Sequence, residues 1–169
     1  IATYREGLAL AQSSGNSHYE IRLLTGMGQV EAETGMEAEG QTHLEQALNL
    51  VKKQNDPRYE GVVRGDLGIH FHWHGEPDRA LKQYTVALGL ARKVGSRRDE
   101  AVILVNIGDL QFLLGNREAA RKRLEEAIVL GRVTWGVVTG AGLGTLALMD
   151  AEDGRFTEAL EALEEGEPY

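Results

Sequence analysis

The chain contains no cysteine, which excludes disulfides and thiol chemistry. No segment approaches the roughly 20 apolar residues of a membrane-spanning helix, and no signal-peptide pattern is visible. Basic residues are the minority: 18 Lys and Arg against 26 Asp and Glu leave a net charge of −8. That balance argues against nonspecific binding to nucleic acid or to an anionic membrane surface. A cytoplasmic protein is the expectation these absences leave.

Glycine, by contrast, is abundant, at 21 of 169 residues against an average usage of roughly 7%. Much of it is periodic. Gly35, Gly75, Gly115 and Gly154 are spaced by 40, 40 and 39 residues. Seven residues before them stand Gly28, Gly68, Gly108 and Ala147; five after them stand Gly40, Ala80, Ala120 and Ala159. Leu44, Tyr84, Leu124 and Leu163 follow nine after, and Ala47, Ala87 and Ala127 continue three of the blocks. Columns held in register over this span mark a tandem repeat, whose units bury their apolar faces on one another.

Each block has helical apolar spacing up to its glycine and a second amphipathic segment after it. Glycine takes the left-handed conformation that closes a helix. Glu37, Pro77 with Asp78, Glu118 and Glu158 follow as early-helix signals. The small columns let two helices approach closely. A period of 40 less two short loops leaves about 17 residues per helix, or roughly 25 Å at 1.5 Å per residue. The pattern predicts a repeated antiparallel helical hairpin.

These columns resemble the tetratricopeptide repeat family. The clearest copy is Leu67, Gly68, Phe71, Gly75, Ala80, Tyr84 and Ala87, followed by Ile107, Gly108, Gly115, Ala120, Leu124 and Ala127. Leu24, Arg64, Leu104 and Leu143 stand where the family often has a large aromatic, and Arg92 and Arg132 where it has a closing proline. The period exceeds the family's usual one, as in the extended arrays of large bacterial regulators and scaffold proteins. The resemblance implies an all-α fold, an α-solenoid of antiparallel hairpins wound as a right-handed superhelix. It also implies a non-catalytic module that binds a peptide or protein segment in a concave groove lined by the first helices.

One repeat domain is expected over residues 1–169, with a half repeat at 1–13, repeats at about 17–54, 57–94 and 97–131, and a partial one at about 136–169. In the half repeat Tyr4 falls in the column of Leu44 and Tyr84, and no initiator Met is present. A fragment of a longer array is the expectation, with self-association through its uncapped ends.

Three constellations suggest chemistry, and each has a plainer explanation. His70 and His74 share a helix face, as zinc-binding pairs do, while His72 points elsewhere. They lack a nearby carboxylate or cysteine, and His74 abuts the Gly75 turn, where it can bond the terminal carbonyls. No metal or other cofactor is expected. Gly140, Gly142 and Gly144 mimic a dinucleotide fingerprint, but that motif needs a preceding strand, and the repeat register puts them in a helix. Glu125, Glu126, Glu164 and Glu165 read as solvated second-helix faces.

The binding surface remains. Val62, Asp66, Ile69 and Trp73 lie about 180° from the Leu67–Gly68–Phe71 packing stripe. The same side carries Val102, Asn106, Asp109 and Leu113, with Phe112 adjacent, in the next repeat, and Arg22, Gly26, Gln29 and Glu33 in the one before. A purely solvated side would be polar throughout. Asp66, Ile69, Trp73, Asn106, Asp109, Phe112 and Leu113 are therefore the expected peptide groove, apolar anchors among orienting polar groups. Alternatively Trp73 and Phe112 pack against adjacent hairpins. An acidic groove favours a basic or amphipathic protein partner. The competing functions are a ligand-sensing domain of a larger bacterial transcriptional regulator and an enzyme, the latter requiring His72, Asp66 and Asp109 to meet in one deep pocket.

Overall fold

A computed structural model describes residues 2–169. They form α1 (Ala2–Ser13), α2 (Ser17–Glu33), α3 (Glu37–Gln54), α4 (Pro57–Trp73), α5 (Pro77–Val94), α6 (Arg97–Leu113), α7 (Arg117–Thr134), α8 (Gly136–Glu152) and α9 (Phe156–Gly166), with no strand among the described residues. Leu90 and Ala91, inside α5, mark the division between two compact units.

In the first unit, α2 pairs with α3 and α4 with α5. The small columns set these pairings. A Cβ placed on Gly28 would lie 2.6 Å from Leu44 Cγ and 2.9 Å from the Gly40 carbonyl. One on Gly68 would collide with the ring of Tyr84. Leu44 and Tyr84 are fully buried against these glycines, and Ala47 and Ala87 are fully buried as well. Contacts of this closeness are open only to a residue without a side chain. Tyr4 of α1 leans on Gly26 in the same way, its ring 2.7 Å from where a Cβ would stand.

In the second unit, α6 pairs with α7 and α8 with α9. Gly108 meets Leu124 at 2.7 Å from the Cβ it lacks. The core here is Ala120, Leu124, Ile128, Leu143, Leu146 and Met149. The last hairpin departs from the pattern. Ala147 is buried, but Leu163, in the column of Leu44 and Leu124, is 54% exposed. Ala162 packs against the core, so α9 presents its small residues inward and Phe156, Leu160 and Leu163 outward.

Turns fall in two columns. Gly35, Gly75, Gly115 and Gly154 close first helices with φ between 71° and 81°. A second column, unread in the sequence, closes second helices: Gly15 at φ 65°, Asn55 at 55° and Gly95 at 69°. The next residues start the following helix, Asn16 and Asp56 by accepting backbone N–H groups of Tyr19, and of Arg58 and Tyr59, respectively. After α7 the arrangement changes. Trp135 alone, extended at φ −161°, separates Thr134 from Gly136. The helices starting at Ser17, Pro57, Arg97 and Gly136 thus lose one residue at this junction, the source of the shortened last interval.

Several polar side chains of the second helices are drawn into contacts on folding. Gln83 is half-buried and its amide oxygen accepts from Arg64 at 2.8 Å. Glu126 is half-buried and pairs with Arg123 at 3.1 Å, while Glu165 pairs with Arg132.

Candidate functional site

In the first unit, α2 and α4 line a depression of about 270 Å³. Gln29, Ala32 and Glu33 come from α2 at helical i, i+3, i+4 spacing; Asp66, Ile69, His70 and Trp73 come from α4 at i, i+3, i+4, i+7. Leu44 of α3 also contributes to the lining. The Gln29 amide donates to Asp66 at 2.8 Å and ties the two helices together. Burial pushes the Asp66 carboxyl up to about 7, against the Gln29 hydrogen bond, which pulls it down. Trp73 stands 61% exposed at the end of α4, which places it at the surface and not in a packed core. Ile69 is half-buried beside it.

The histidines have separate roles. His70 is buried, its Nδ1 without a hydrogen-bond partner. Burial, reinforced by neighbouring His74, holds its imidazole below the ordinary value. His74 Nδ1 lies 2.6 Å from the His70 carbonyl, capping the end of α4, and its Nε2 is 3.4 Å from Glu37 of α3, so, against the sequence expectation, folding does bring a carboxylate beside the pair. His72 is absent from the lining of the Asp66 depression. Among the described residues no three His, Cys, Asp or Glu side chains are grouped to hold a metal ion.

In the second unit, the α6 residues sit differently from one another. The Thr145 hydroxyl of α8 donates to Asp109 at 2.8 Å, a tie between first helices that parallels Gln29–Asp66. Asn106 Nδ2 is buried without a partner. Phe112 is half-buried against the core, with the Arg117 guanidinium 5.3 Å from its ring centroid. Leu113 is 71% exposed. The seven residues of the expected groove therefore fall into two patches, Asp66, Ile69 and Trp73 on α4 of one unit, and Asn106, Asp109, Phe112 and Leu113 on α6 of the other.

Two buried charges went unread in the sequence. Glu31 is 1% exposed and faces His43 Nδ1 at 2.5 Å. Its signal was present, since Glu31 follows Gly28 by three residues as Phe71 follows Gly68, placing a carboxylate in a core column. Asp150 is buried between Arg121 and Arg155, which bonds it at 2.5 Å. Burial alone would raise the Asp150 carboxyl, but the hydrogen bonds from Arg121 and Arg155 prevail and hold it below the usual range.

Comparison with known proteins agrees with this architecture. Residues 19–93 match the model of the tetratricopeptide repeat. An 87-residue segment, 52% of this chain, is 32% identical to the SH3 domain and tetratricopeptide repeat-containing protein 2 of Homo sapiens, and spans 7% of that protein's length. Among solved structures, BtubC (BKLC) from P. vanneervenii superposes with a TM-score of 0.82 at 16% identity, over 99% of this chain and 70% of that one. The likeness extends to the helical-repeat fold.

Proposed function

We propose that this chain, a member of the tetratricopeptide repeat family, is a non-catalytic interaction module whose first-helix faces bind a peptide or protein segment. Repeats of this family generally mediate protein–protein interaction. The observation that carries the assignment is Trp73. A large aromatic held 61% exposed, beside a depression with an apolar wall and carboxylates, is costly to leave in water and suited to anchor a partner. Leu113, at 71% exposed, plays the same part on α6, where Asp109 and Asn106 supply polar groups. The carboxylates favour a basic or amphipathic partner, and the chain's negative charge speeds its encounter.

Selection of peptides from a display library on the intact chain tests the assignment. Trp73→Ala and Leu113→Ala remove exposed side chains, so folding stability should move by less than about 0.5 kcal/mol. Binding of the selected peptides to Trp73→Ala should weaken at least tenfold, about 1.4 kcal/mol. Peptides that bind both variants as tightly as the parent chain would refute the assignment.

A further inference from the structure

Aromatic rings in this chain are repeatedly covered by arginine. The Arg79 guanidinium lies 3.8 Å from the Phe71 ring centroid, Arg98 lies 4.1 Å from Trp135, and Arg117 lies 5.3 Å from Phe112. Among the described residues, Trp73 carries no such cation. Its indole is nevertheless the more exposed of the two tryptophans, 61% against 38% for Trp135. Beside it, the α2–α4 depression presents the carboxylates of Glu33 and Asp66 and no lysine or arginine among its lining residues. His70, of the same lining, is 3% exposed with Nδ1 unpartnered, so a polar atom next to the depression lacks a hydrogen bond of its own. At about 270 Å³ the space is below the roughly 300–1,000 Å³ of pockets for whole small molecules. It suits a single long side chain.

We propose that this depression receives an arginine side chain of the bound partner, its guanidinium stacked on Trp73 and paired with Glu33 and Asp66. The assignment rests on the interaction function proposed above and names the residue that the first-unit patch selects. The chemistry fits arginine better than lysine. A planar guanidinium stacks on an indole face while its edge donates to carboxylates, whereas an ammonium is a compact, strongly hydrated charge. The arrangement is also complementary in location. Glu33 sits on α2, Asp66 and Trp73 on α4, so one side chain entering between the helices meets donors' targets on both walls. Gln29 already fixes one oxygen of Asp66 at 2.8 Å, which leaves the other for the partner and holds the carboxyl group in place before binding, and an arriving guanidinium favours its ionised form.

The test uses the display-selected peptides in synthetic form. In each Trp73-dependent peptide, one arginine should be replaceable by its uncharged isostere citrulline only with a loss of at least about tenfold in affinity, and lysine should recover part of that loss. Glu33→Gln with Asp66→Asn should reduce the citrulline penalty to less than about threefold, because the charge pairing it reports is gone. Glu33→Gln alone, at an exposed position, gives a smaller reduction and serves if the double variant unfolds. Trp73-dependent peptides that tolerate citrulline at every arginine, or contain none, overturn this inference and leave the interaction function standing. Peptides that depend on Leu113 but not on Trp73 also overturn this inference alone, and peptides indifferent to both Trp73→Ala and Leu113→Ala refute the function itself.

Discussion

The same substitution, glycine to alanine, should have opposite consequences at two helix-interior sites of the second unit. At Gly108 in α6, a new Cβ would lie 2.7 Å from both Cγ and Cδ2 of Leu124 and 3.4 Å from the Ala120 carbonyl. Carbon atoms settle at about 3.5–4.0 Å, so α6 and α7 must part by about 1 Å or Leu124 must leave its rotamer. Leu124 is fully buried in a cluster with Ile128, Leu143 and Met149 and has nowhere to go. At Gly144 in α8, a Cβ would meet nothing within 4 Å. Both sites gain the same intrinsic helix preference, about 1 kcal/mol for alanine over glycine. The difference between the two variants therefore isolates the overpacking cost, about 1–3 kcal/mol. Gly144→Ala should raise stability by about 0.5–1 kcal/mol, and Gly108→Ala should lie about 1–3 kcal/mol below it. Urea titration with a common slope measures the difference directly, and thermal melts should separate by about 2–4 °C per kcal/mol for a chain of this size. Equal shifts at the two sites would show that α6 and α7 do not approach as closely as the columns require.

The raised Asp66 carboxyl gives a pH dependence of definite sign. Its folded value, about 7, exceeds the ordinary 3.8, so the folded state holds the proton between these values and stability falls as pH rises from about 4 to 7. Asp66→Asn should lack this slope, and the wild-type-minus-variant difference, of order 1–2 kcal/mol for a carboxyl still in partial contact with water, would refute the argument if flat. Hydrogen exchange should be fastest in α1 and α9, which bury only Ala11 and Ala159, and slowest in α4 and α6; uniform protection along the chain would contradict this.

The hairpins were legible because periodicity reports packing directly. Gly28 with Leu44 and Gly108 with Leu124 are each a gap and its filler, and neither makes sense outside a close helix pair. The placement of the candidate residues was legible in part. Spacing on α4 placed Asp66, Ile69 and Trp73 on one face, but the depression also needs Gln29 and Glu33 from α2, and only folding brings those faces together. What escaped depends on a particular partner and not on a period. Glu31 occupies a core column because His43 stands 2.5 Å away. Gln83 leaves the surface because Arg64 reaches it. Leu163 keeps its column in sequence yet faces water, since α9 turns Ala162 inward instead.

The single residue joining α7 to α8 has a consequence in genetic terms. Where Asn55 and Asp56, or Gly95 and Ser96, make a two-residue junction, Trp135 stands alone, and the helices on either side keep their lengths of 18 and 17 residues. One codon can therefore drop out at a junction between hairpins without shifting any helix relative to its own packing face, whereas the same loss inside a helix would rotate every later side chain by about 100°. Length variation among descendants of such a repeat should collect at these junctions, and a period of 40 that slips to 39 is the trace it leaves.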